Sequence, residues 1–88
     1  MTFDSTEWKE LLALVDDMDP TARIVLLQYS TLFDSHGRAP AKPKLIAKAT
    51  GASEKAVRQI LTRAKNENWL EAIDIDGRKG YRATIPDL

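Results

Sequence analysis

Residues 43–62 read PKLIAKATGASEKAVRQILT. Leu45, Ile46 and Ala49 are the apolar contacts of a short helix over residues 44–50, and Gly51-Ala52 breaks it. Ser53 is placed to cap a second helix, in which Val57, Ile60, Leu61 and Ala64 follow the i, i+3, i+4, i+7 spacing of one buried face. Four positions tie the two helices together. A bulky side chain at Ala47 would push them apart where they cross. Gly51 can take the positive φ of the turn without a Cβ clash. Val57 and Ile60 lock the second helix against the core and leave its other face outward.

Beyond this pair, Asn68 is a candidate left-handed helix end, and after Trp69 and Leu70 the apolar period changes from helical to alternating. Ile73 and Ile75 point one way, and Tyr81, Ala83 and Ile85 do the same on a second strand. The DGRKG stretch at 76–80 reads as a hairpin loop between them.

Ala47, Gly51, Val57 and Ile60 stand in register with no proline between 44 and 62, and this pattern resembles the helix-turn-helix of many bacterial, phage and plasmid regulators. With the basic hairpin at 70–85, the chain resembles the winged-helix family over residues 20–85. The resemblance implies a mainly α fold with a small β-hairpin, a recognition helix at 53–67 and a wing at 76–80.

Towards the N-terminus, Asp4 and Glu7 are spaced as a capping box, and Phe3 and Trp8 as a hydrophobic staple. Trp8, Leu11, Leu12 and Val15 give residues 5–17 an apolar face, so an extra helix is expected within 4–18. Asp19-Pro20 opens a further helix. Its broad stripe of Ala22, Val25, Leu26, Tyr29, Leu32 and Phe33 predicts a central element ending near residues 34–35. Gly37, Pro40 and Pro43 mark 35–43 as a connector. A chain of 88 residues is expected to form a single domain, 1–88.

The formal net charge is zero, but it is segregated. Residues 1–40 hold three Lys/Arg against seven Asp/Glu, and residues 41–88 hold ten against six. Such asymmetry suits one basic working face. There are no cysteines, which removes thiolate metal sites and fits a reducing compartment. The acidic start carries no secretory signal and the longest strongly apolar run, 24–27, cannot span a bilayer. A cytoplasmic, nucleoid-associated protein is expected.

Opposite the apolar stripe of the recognition helix stand Lys55, Gln59, Thr62 and Asn66, flanked by Arg58, Lys65 and Arg63. Arg and Lys donate to guanine, and Gln pairs with adenine. The N-terminal part of such a helix reaches deepest, so Ser53, Lys55, Arg58 and Gln59 are the candidate base readers. Thr62, Arg63 and Lys65 are candidate phosphate contacts, with Lys44 on the preceding helix, and Arg78 and Lys79 on the wing, with Arg82 behind them, are candidates to clamp the backbone or enter a minor groove. Glu54 is read as favouring the helix N-terminus. The partner expected is double-stranded DNA. A homodimer through the N-terminal helix would read two half-sites about one helical turn apart, with Glu7, Glu10, Asp16 and Asp17 facing away from phosphate. The alternative is a winged-helix interaction module that never touches DNA. No catalytic group, cofactor, metal cluster, small-molecule substrate or membrane association is read. Asp34-Ser35-His36 are consecutive loop residues, poorly suited to a catalytic relay.

Overall fold

A computed structural model describes residues 3–86. The outermost parts of the expected 1–88 span, residues 1–2 and 87–88, lie outside the described residues. Helix α1 (Ser5–Leu14) starts at Asp4, whose carboxylate accepts the Thr6 amide at 2.9 Å. That bond reaches the second helical amide, and Glu7 stands exposed rather than closing a box. The staple is mediated by a third ring. Phe3 and Trp8 each stand edge-on to Phe33, with centroids 5.7 and 5.3 Å away.

The expected helix over 5–17 stops at Leu14. Val15 turns extended, and the guanidinium of Arg23 on the next helix donates to the carbonyls of Ala13, at 2.7 Å, and Val15. A helix end needs partners for its last carbonyls, and here one side chain brought in by the fold supplies them.

Helix α2 (Pro20–Ser30) has its proline at the first helical position, as read. It ends four to five residues before the expected 34–35. The chain tightens through three i→i+3 bonds, from the amides of Thr31, Leu32 and Phe33 to Gln28, Tyr29 and Ser30. Asp34 then holds a turn by accepting the amides of His36 and Arg38 at 2.8 and 2.9 Å. That turn feeds strand β1 (Arg38–Pro40), inside the segment read as a connector. Three residues including a proline carry no alternating pattern. Only pairing makes them a strand.

Helices α3 (Pro43–Thr50) and α4 (Glu54–Asn66) follow, joined by Gly51 at φ +80°, whose amide returns to the Ala47 carbonyl at 2.9 Å. Ser53 caps α4 by accepting the Ala56 amide at 3.1 Å, and Asn68 takes φ +68° past its end. Strands β2 (Leu70–Ile75) and β3 (Arg78–Ala83) complete an antiparallel sheet of order β1-β3-β2. Their turn has two residues, Asp76 and Gly77, both at positive φ. The five-residue loop expected at 76–80 is therefore corrected: Arg78, Lys79 and Gly80 belong to β3. The Asp-Gly pair supplies the left-handed geometry a two-residue hairpin needs, and the Asp74 carboxylate accepts the Gly77 amide at 2.6 Å.

Register fixes which residues share a face. Leu70 faces Ala83, and Ala72 and Ala39 both face Tyr81, on the side of the sheet that carries the core. Ile73 and Ile75 lie on the opposite side with Glu71, Arg82 and Arg38. One apolar cluster draws on every element, with Trp8 and Leu12 of α1 as buried as Tyr29, Ile46, Val57 and Tyr81. The added helix is part of the core. Burying Leu12 alone contributes roughly 1.5–3 kcal/mol.

Candidate nucleic-acid interface

Because α4 buries Val57, Leu61 and Ala64, the 3.6-residue period turns Lys55, Arg58, Gln59, Thr62, Lys65 and Asn66 to solvent. Arg58, Gln59, Thr62, Arg63 and Asn66 line one shallow depression along the helix. A second, deeper groove runs between α4 and the sheet, where Arg58 and Thr62 meet Lys79 and Tyr81 of β3, with Pro43 at the start of α3. The Lys79 ammonium lies 5.7 Å from the centroid of the Tyr81 ring, so the aromatic face supports the charge at the groove.

The three basic wing residues divide. Lys79 pairs with Asp74 and shares the core-side face with Tyr81, which carries it towards α4. Arg78 and Arg82 alternate to the other face. Arg82 there donates to Glu71 at 2.8 Å and sits opposite Arg38. The structure joins Lys79 to the α4 surface and leaves Arg78 and Arg82 apart from it, because the hairpin turn ends at Gly77 and strand alternation begins at Arg78.

Carboxylates claim both arginines on α4. Arg58 donates to Glu54 at 2.5 Å and Arg63 to Glu67 at 2.7 Å, each at i,i+4 spacing. The bond to Glu67 raises the pKa of Arg63, and the nearby charges of Asp19 and Asp17 add to the effect. Arg63 therefore belongs as much to the acidic 16–19 loop as to the outward face. Lys44, Lys55 and Lys65 are exposed. Ser53 spends a lone pair on its cap and keeps its hydroxyl proton for donation.

Pro43 and Tyr81 were outside the sequence-derived set. Tyr81 reads as a core residue and is one, and it also lines the groove. Glu54 and Glu67 were legible as arginine partners from their spacing alone. His36 is exposed, and Asp34 engages its backbone amide rather than a relay. Among the described residues no group of three or more His, Cys, Asp or Glu is arranged to hold a metal. No helix among them is long and apolar enough to cross a membrane.

On α1, Trp8 and Leu12 are buried and Leu11 packs against the core, as does Val15 just past the helix end, so the stripe behind the expected dimer is engaged within the chain. Leu14, 72% exposed, is the most exposed large apolar side chain among the described residues. No protein-family model, no curated protein and no solved structure matches this chain.

Proposed function

We propose that this chain is a winged-helix protein that binds double-stranded DNA, with α4 in the major groove and the β2–β3 hairpin against the backbone. The observation that carries the reading is the groove in which Arg58 and Thr62 of the helix face Lys79 of the hairpin. Two elements distant in sequence converge their cations on one concave surface, as a ligand with a continuous line of phosphates requires. The order after α1, helix, strand, helix, helix and hairpin, supports the winged-helix assignment.

Ser53, Lys55, Arg58 and Gln59 are the base readers in this reading, and Lys44, Thr62, Lys65 and Lys79 the phosphate contacts. A homodimer would use the outward side of α1, including Leu14, rather than the buried stripe. Sedimentation of micromolar protein as a monomer, with and without DNA, removes that part of the proposal.

A second reading, a protein-interaction module, draws on the ion pairs that occupy Arg58, Arg63 and Arg82. The deciding experiment is retardation of mixed genomic fragments at rising salt, followed by selection of the retained sequences. Salt-sensitive retardation with an enriched motif supports the DNA reading. Its absence transfers the function to the interaction module.

A further inference from the structure

We propose that the cleft between the 16–19 loop, α2 and α4 is a binding site for a short aliphatic amine. Because α1 stops at Leu14, the chain loops back to α2 along the flank of α4, and Arg23 pins it by the Val15 carbonyl. Under this loop lies a partly open cavity of about 40 Å³, walled by Val15, Met18, Leu26, Ile60 and Trp69, with Ala22 among its lining. One water-sized group needs roughly 10–15 Å³ of such space, so the cavity accepts about three or four of them. Its narrowness suits a short alkyl chain.

The charges set the other end of the ligand. Asp17, Asp19, Glu67 and Arg63 also line the cleft, three carboxylates against one guanidinium. Arg63 is bonded to Glu67 at 2.7 Å and is shared with Asp17 and Asp19, so one guanidinium serves three carboxylates and the mouth keeps a net negative charge, with Asp17 and Asp19 exposed. An ammonium at the mouth is attracted, and a carboxylate repelled, while the alkyl chain enters an apolar wall. The cavity fixes the ligand's size and the loop fixes its charge. This site is independent of the DNA reading.

The test is a titration of the full chain with n-butylammonium chloride, followed by amide NMR, with n-butanol and sodium butyrate as matched controls at constant ionic strength. The site predicts saturating shifts confined to residues 15–19, 22–26 and 60–69, with a dissociation constant on the order of millimolar. Butanol should bind roughly fivefold more weakly and butyrate should not saturate. Ala22→Leu fills the cavity and should abolish binding of both amine and alcohol. Should that variant fail to fold, the Asp17→Asn, Asp19→Asn pair decides: it should erase the preference for amine over alcohol. No saturation, equal binding of amine and alcohol in the unaltered chain, or shifts centred elsewhere overturns the proposal. Tighter binding of a blocked lysine than of butylammonium would assign the cleft to a protein side chain and overturn it as a free-amine site.

Discussion

The Trp8 indole stands edge-on to Trp69, with ring centroids 5.9 Å apart, and donates its N–H to the carbonyls of both Trp69 and Thr84 at 3.1 and 3.0 Å. One side chain near the start of the chain thus closes the far end of α4 and the end of the sheet. Trp8→Ala should therefore cost about 3–5 kcal/mol in urea unfolding, the range for deleting a large buried ring. Trp8→Phe should cost less but still remove the indole donor from the Thr84 carbonyl, while the Trp69 carbonyl keeps the Thr84 amide. If α1 were chiefly a subunit contact, Trp8→Ala would instead leave a stable chain with an altered sedimentation coefficient.

Two glycines should respond to alanine for opposite reasons. A Cβ on Gly80 would lie 2.8 Å from the Ala39 carbonyl oxygen and 2.6 Å from the Ile75 Cδ1. The methyl can move Ile75 but not the backbone of β1, so Gly80→Ala should cost about 1–3 kcal/mol and loosen β1 from β3. Gly51 has open space around it but sits at φ +80°. Gly51→Ala should cost roughly 1–2 kcal/mol through backbone conformation alone. Urea midpoints test both, and hydrogen exchange at Ala41, whose amide bonds the Lys79 carbonyl, should accelerate only in the Gly80 variant.

Strand alternation separates Lys79 from Arg82, and DNA binding should separate them too. Lys79→Ala should weaken binding to all sequences and lower the slope of log affinity against log salt by about one. Arg82→Ala should leave that slope unchanged, since its guanidinium lies on the other face and bonds Glu71. Equal loss from the two variants would mean that the hairpin meets DNA edge-on rather than by its α4 side.

Both residues were equal candidates in the sequence, and the reason is instructive. Hydrophobic periodicity locates α3 and α4 within a residue or so because caps and glycine turn chemistry agree with it at Ser53 and Gly51. At Asp76-Gly77 the local signal for a two-residue turn was present, but the charged run behind it, Arg78-Lys79, reads as loop until Gly80 is seen to fit under Ile75. The end of α1 depends on Arg23, a residue of another helix, and β1 depends on pairing with β3. Neither leaves a local trace. The outward face of α4 was legible because its burial is local to the helix, whereas the groove needed the sheet's register.

Acid should find a specific weak point at the entry to β1. The backbone amide of Arg38 holds the Asp34 carboxyl below its ordinary value of 3.8, against an opposing effect of desolvation, and the His36 amide adds to the lowering. A depressed folded pKa contributes stability that is complete above the unfolded value and is lost as pH falls through the folded one. Asp34→Asn removes that titration. Its urea midpoint should fall below that of the unaltered chain at about pH 6, and the gap should narrow towards about pH 3. A constant gap would assign the effect to shape rather than charge.

Glu54 and Arg58 form an exposed pair, with the arginine side chain 62% and the glutamate 35% accessible. Such a pair adds no more than about 0.5 kcal/mol to folding, so its larger effect should be on the ligand. A guanidinium that reaches for a base or a phosphate must share or leave the carboxylate, and the carboxylate itself repels phosphate. Glu54→Gln should therefore raise DNA affinity several-fold at low salt while changing the urea midpoint little. Arg58→Ala should cost about 1–3 kcal/mol at one base pair and relax preference there. Combining them tells how Glu54 acts. If it works by holding Arg58, Glu54→Gln adds nothing once Arg58 is gone. If it works by repelling phosphate directly, the gain persists in the double variant, and the pair is then two independent charges that happen to touch.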